Sequence, residues 1–301
     1  MIHARPLLLT LLSLLATASL SSRSAAEQAP AEPPATNATC AQRIGGVRSS
    51  IILDISVPSA CLERTNKALV ILPESYDGRE TYPTLYLLHG HDMPYTDWLR
   101  LRPDLAQLAT AHGMIIVCPD GANSWYIDSP EDPTSRYETF IAQNLVPFID
   151  HHFRTRPEKT ARAITGLSMG GHGALWLAIR HQDTFGACGA MSGAVNLSPF
   201  PNRWGLQKLL GDASEHADRL AQYSVSNQLE HIRPGLALLI DCGSEDFFYE
   251  VNTQLHRALL ERRIPHDFIS RPGAHNGAYW RNALLYQLLY FAEYFRTHAA
   301  P

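Results

Sequence analysis

The sequence predicts an α/β domain built on a mostly parallel central sheet flanked by helices. Three observations carry this reading. From about residue 83 onward, short apolar runs alternate with segments of helical spacing, the pattern of strands joined through crossover helices. Several runs, "PTLYLLHG" among them, are apolar throughout, as strands buried on both faces are. At one junction between such a run and a helical segment stands "GLSMGG", a lone serine between glycines.

In chain order, "SSIILDISVP" and "KALVILPE" are β-rich and close together, which predicts an antiparallel start to the sheet. "PTLYLLHG" and "MIIVCPDG" follow as strands. Residues 135–153, "SRYETFIAQNLVPFIDHHF", have apolar positions at helical spacing, with Pro147 expected to kink the helix. "TARAITG" reads as a strand, "MGGHGALWLAIRH" as a helix and "FGACGAMSGAV" as a strand with its exit. "LALLIDCG" and "HDFISRPG" complete the strands, separated by the amphipathic "YEVNTQLHRALLERR" and closed by the helix "NALLYQLLYFAEYFRTH". The least regular stretch, residues 197–233, is expected to hold helices that cover the site.

The N-terminus reads differently. Arg5 precedes the apolar run "PLLLTLLSLLATASL", and small residues stand at Ser24 and Ala26, which predicts an export signal over residues 1–26. The run is short for a membrane span. Residues 27–47 begin Pro/Ala-rich without periodicity and are expected to be a linker, leaving residues 48–301 for the catalytic domain. The expected location is therefore periplasmic or secreted, with no membrane span after cleavage. A net charge of −4 without a long basic run argues against nucleic acid as a partner. Five cysteines leave at least one unpaired within the chain. Cys40 and Cys61 could pair, while Cys118, Cys188 and Cys242 sit in apolar runs as small core residues. No Cys/His spacing resembles a zinc site, and no cofactor or metal is expected.

A serine on a tight strand-to-helix turn has its Oγ lifted clear of the sheet, and Gly166 and Gly170 fit where strand and helix approach closely. The helix starting at Met169 directs its positive end at Ser168, and the Met169 N–H can stabilise an oxyanion. Serine needs a base, and the base an orienting acid, in the chain order Ser, acid, His. After Ser168, "LLIDCGSEDFFYE" offers Asp241 inside the strand, and Glu245 and Asp246 in the loop beyond it. That loop is at the carboxyl edge, where sites form, so Asp246 is preferred with Glu245 second. His275, in "RPGAHNGAYW", follows the next strand on the same edge, whereas His266 begins that strand on the opposite edge. A second oxyanion donor is expected from the His91 backbone N–H, since Gly90 lets the loop after "TLYLLHG" turn sharply.

With "LYLLHGHDMPYTDW", "GLSMGGHGA", "CGSED" and "PGAHNGAYW" in place, the chain resembles the esterase D group of α/β-hydrolases from about residue 51 to its end. That group includes S-formylglutathione hydrolases, feruloyl and acetylxylan esterases, and secreted mycolyltransferases. The resemblance implies an α/β-hydrolase fold, with nucleophile Ser168, acid Asp246, base His275, and the His91 and Met169 amides as oxyanion donors. It also implies that "NSWYIDSP" lies beside the acyl site, which would bring Trp125 and Tyr126 near substrate. Two departures stand out. The loop "HGHDMPYTDW" lacks the group's second glycine, and "GAHNGAYW" replaces Gly-His-Asp-Trp around the base. Export fits poorly with a cytosolic thioesterase. It directs the expectation to a serine carboxylesterase acting on small or polysaccharide-linked esters, such as feruloyl or acetyl esters of plant polysaccharide. An acyltransferase on a sugar or lipid hydroxyl and an S-formylglutathione hydrolase-type thioesterase are the alternatives within the fold, and a carbohydrate-binding pseudo-enzyme the alternative outside catalysis.

Overall fold

The computed structural model of the chain describes residues 41–45, for their backbone, and 51–298. The expected signal and most of the expected linker lie outside these residues, as does Cys40, one half of the pairing considered with Cys61. Among the described residues no helix is long and apolar enough to cross a membrane.

Among the described residues the sheet has nine strands: β1 Ala41–Gly45, β2 Ile51–Ser59, β3 Arg64–Leu72, β4 Thr84–Leu88, β5 Ile115–Pro119, β6 Arg162–Gly166, β7 Ala187–Met191, β8 Ala237–Gly243 and β9 Asp267–Arg271. Their spatial order is β1-β2-β3-β5-β4-β6-β7-β8-β9. The first three pairings are antiparallel and the remaining five are parallel. β2 and β3 form a hairpin whose turn is closed by the Glu63 N–H on the Ala60 carbonyl (3.2 Å). β1 falls inside the segment read as linker. "AQRIG" has no apolar alternation, and its place at the sheet edge comes from backbone pairing with β2, which local pattern does not reveal.

The helices are α1 Asp97–Leu101, α2 Leu105–Ala111, α3 Tyr137–Thr139, α4 Val146–His152, α5 Met169–Arg180, α6 Leu206–Leu210, α7 Arg219–Gln222, α8 Tyr249–Glu261 and α9 Gly277–Thr297. Alternation along the central strands sorts the core into two layers. Tyr86 and Leu88 of β4 and Val70 of β3 face one side with α5, Phe140 and Tyr126. Leu85, Leu87 and Ile71 face the other with Trp98, Leu284 and Phe291. Burial on both faces accounts for the unbroken apolar runs. Cys118, Cys188 and Cys242 are buried among them, and burial pushes each thiol well above its ordinary range.

Two expectations are modified. Between α3 and α4 the backbone adopts a π-helical turn, Phe140–Leu145, immediately before Pro147 in the first turn of α4. A widened turn upstream of the proline takes the place of a simple kink. In residues 197–233, Leu206, Leu209, Leu210 and Leu220 turn into the core, and Trp204 alone of this stretch lines the cleft described below. The segment thus packs mainly on the sheet layer.

Candidate active site

The carboxyl ends of β4, β6, β8 and β9 open on one edge of the sheet, and the loops leaving them carry His91, Ser168, Asp246 and His275. Ser168 connects β6 to α5 with φ 55° and ψ −117°, a conformation an L-residue rarely adopts. Tertiary bonds hold it there: the Ser168 N–H donates to the Met191 carbonyl (2.9 Å), and the Gly170 N–H to the Leu167 carbonyl (2.7 Å). The glycines are steric necessities. A Cβ on Gly166 would lie 2.6 Å from the Gly170 backbone, and one on Gly170 2.6 Å from the His89 carbonyl oxygen.

Three side chains distant in sequence meet at this turn. His275 Nε2 lies 2.9 Å from Ser168 Oγ, and His275 Nδ1 lies 3.0 and 2.9 Å from the two carboxylate oxygens of Asp246. The Asp246 side chain is wholly buried, and its Oδ1 also accepts from the Phe248 N–H (2.8 Å). The loops are tied together, because the Glu245 N–H donates to the Gly273 carbonyl (2.9 Å). Asn276 caps α9 by accepting from the Ala278 and Tyr279 amides, which fixes the exit of the His275 loop. Glu245 is exposed and takes no part in the chain of bonds. Asp241 is buried in β8 and bound to Arg271 (2.6 Å) and Tyr279, while His266 pairs with His256 (2.8 Å).

Among the described residues, neither the Met169 N–H nor the His91 N–H has an acceptor within the protein. The first belongs to the opening turn of α5, whose leading amides have no intrahelical partner. The second sits in a turn closed by the Met93 N–H on the Gly90 carbonyl (3.3 Å). His89 Nε2 accepts from the Gly121 N–H (2.9 Å), which leaves Nδ1–H to donate to the Gly90 carbonyl (2.8 Å). With that carbonyl held toward His89, the trans peptide directs the His91 N–H the opposite way.

Of the two aromatic residues expected near substrate, Trp125 lines the cleft at Ser168 and Tyr126 does not. Tyr126 is fully buried, and its hydroxyl accepts from the His89 N–H (3.1 Å) and donates to the His89 carbonyl (3.2 Å). Both residues have φ 57°, a reversal that sends one ring toward the cleft and the other under the end of β4. Tyr126 thus braces the loop that presents His91.

The cleft encloses about 210 Å³. Besides Trp125 its walls include Trp204, Phe247, Phe248, Trp280 and Met93, none of which the sequence reading assigned a role. Phe247 and Phe248 directly follow Asp246, and Trp280 belongs to the motif that carries His275, so their proximity was readable from spacing. Trp204 lies in the irregular stretch and carries no such signal.

His172, also in α5, ties this wall together. It is fully buried, with Nε2 2.8 Å from the Tyr223 carbonyl oxygen and Nδ1 3.3 Å from that of Trp125. Burial pushes its pKa down to about 4, outweighing the two carbonyls that favour the protonated ring. An unfolded histidine titrates near about 6.5. Between these values the unfolded chain binds a proton that the folded chain refuses, so this residue's effect lowers stability as pH falls. The loss amounts to about 2 kcal/mol near pH 5. His172→Gln, whose amide does not titrate, is expected to show a smaller drop in Tm between about pH 7 and pH 5 than the native chain. Equal drops in the two proteins would contradict the assignment.

Comparison with known proteins shows what the chain is similar to. An esterase of Mycobacterium tuberculosis is 37% identical over 137 residues, 42% of this chain and 29% of that protein. The chain therefore matches less than a third of that relative's length. An acetyl esterase of Caldicellulosiruptor saccharolyticus is 24% identical over 250 residues, 76% of this chain and 93% of that protein. A solved ferulic acid esterase superposes with a TM-score of 0.71 at 28% identity, covering 82% of this chain and 99% of that one. This is an α/β-hydrolase fold. The family model named Esterase matches residues 59–291, from the β2–β3 hairpin through Ser168, Asp246 and His275 into α9, and the chain belongs to that family.

Proposed function

We propose that the chain is an exported serine carboxylesterase that hydrolyses acetyl or feruloyl esters of plant polysaccharide through an acyl-enzyme. The observation that carries this reading is the continuous Ser168–His275–Asp246 hydrogen-bond chain beside two unpaired amides. Ser168 Oγ attacks the ester carbonyl carbon while His275 Nε2 takes its proton. Asp246, bound to Nδ1, holds the ring in the tautomer that leaves Nε2 free to accept, and stabilises the imidazolium. The His91 and Met169 amides receive the oxyanion, and loss of one such donor typically costs about 3–4 kcal/mol of transition-state stabilisation. The tetrahedral adduct collapses as its C–O bond to the alcohol breaks, and Nε2–H gives its proton to the leaving oxygen. Water then adds to the acyl-enzyme, its proton passing through His275 to Ser168 as the acid departs.

The acetyl and ferulic acid esterases among the relatives support the acyl class, and the small aromatic cleft suits a short or single-ring acyl group. Export rests on the N-terminal run alone. An ester panel tests the function: acetyl and feruloyl esters are expected to turn over fastest and long-chain esters slowest. Failure to cleave any carboxylic ester would overturn the reading. The exported protein should begin near Glu27, which N-terminal sequencing reads directly.

A further inference from the structure

Phe247 is a large apolar residue left 57% exposed, although it follows the buried Asp246 and contacts His275 (ring centroids 4.3 Å apart). Two other rings also touch His275, Phe248 at 5.2 Å and Trp280 at 4.9 Å, but both are buried. Of the three rings beside His275, Phe247 is the one left largely exposed. An apolar ring held in water forgoes burial free energy, and next to the reacting groups it offers a bound substrate a surface to cover.

Its position is built. The Trp204 ring lies nearly parallel to Phe247, at 6.0 Å and 16°. Trp204 is fixed in turn: its carbonyl accepts from Trp125 Nε1 (3.2 Å), and the Arg203 guanidinium lies 5.1 Å from its ring. Trp204 and Trp125 both hold left-handed backbone, φ 50° and 57°, uncommon for bulky residues and typical of sites where a ligand is clamped.

The chemistry indicates which part of the substrate meets this face. The leaving oxygen must come within hydrogen-bond reach of His275 Nε2 to receive its proton. Whatever that oxygen carries is thereby drawn to the exposed ring beside His275. We propose that Phe247, backed by Trp204, is the platform on which the sugar forming the alcohol half of the ester rests. A half-exposed ring suits a sugar, which can lay its C–H face on the aromatic face and keep its hydroxyls in water. An alkyl or aryl alcohol would gain by full enclosure, which this half-exposed ring does not provide. The inference rests on the acyl-enzyme mechanism proposed above.

An alcohol contact acts on acylation only, because every acetate ester yields the same acetyl-enzyme. The test compares an O-acetylated methyl xylopyranoside with ethyl acetate in the full chain and in Phe247→Ala and Phe247→Leu, the latter keeping bulk beside His275 without a planar face. Expected is a loss of about tenfold in kcat/KM for the xyloside in both variants. The loss on ethyl acetate should be at least about threefold smaller than on the xyloside, and Phe247→Tyr should restore xyloside turnover. A loss on ethyl acetate as large as on the xyloside, no loss at all, or a native chain that cleaves ethyl acetate but not the xyloside would each overturn the platform while leaving the esterase reading intact. Absence of Ser168-dependent turnover of either ester would instead remove the underlying mechanism and the platform with it.

Discussion

Ser168→Ala is expected to lower kcat on acetyl esters by about 10⁴- to 10⁶-fold without unfolding the protein. The substitution removes the attacking oxygen and one hydrogen bond to His275 Nε2, at 2.9 Å. It leaves intact the features that shape the turn: the Ser168 N–H bond to Met191, the close approach at Gly166 and Gly170, and the His275–Asp246 pair. The thermal midpoint should therefore stay within a few degrees of the native value while turnover collapses. Residual rate should come only from binding and the oxyanion donors. Near-normal turnover in a folded Ser168→Ala protein would remove the serine from the mechanism.

Asp246→Asn should cost about 10⁴-fold in kcat, and Glu245→Gln less than about threefold. The two carboxylates are adjacent in sequence and opposite in environment. Asp246 has no exposed side-chain surface, receives His275 Nδ1 on both oxygens and is held by the Phe248 amide. An amide in its place can present N–H to Nδ1, which favours the tautomer with its proton on Nε2 and so blocks that nitrogen as the base for Ser168. Glu245 faces solvent, and its backbone N–H, which any residue supplies, makes the bond to Gly273. Steady-state kinetics of the two variants decides between them, and a crippled Glu245→Gln with an active Asp246→Asn would reverse the assignment.

Much of this geometry was legible because the chemistry imposes local sequence constraints. The turn at Ser168 needs glycine at 166 and 170, and strands buried on both faces need unbroken apolar runs, so β4 to β8 and the Ser168 turn could be placed from pattern. The order of strands along the sheet edge then put Asp246 and His275 on the loops next to Ser168. What pattern could not show depends on long-range contact. β1 is recruited by backbone pairing and carries no strand signature of its own. Trp125 and Tyr126 are neighbours with the same φ, yet one ring lines the cleft and the other lies fully buried at the end of β4, and composition cannot tell which. Trp204 reaches the cleft from an irregular stretch, and only the fold brings it against Phe247.

Covalent trapping decides whether Ser168 is a nucleophile activated by His275 and Asp246. A fluorophosphonate ester should inactivate the native chain with one equivalent bound, and mass spectrometry should recover the label on Ser168. Asp246→Asn should label far more slowly, since the serine would lack a competent base. Label recovered on another residue in step with loss of activity, or unchanged inactivation of Ser168→Ala, would contradict the account.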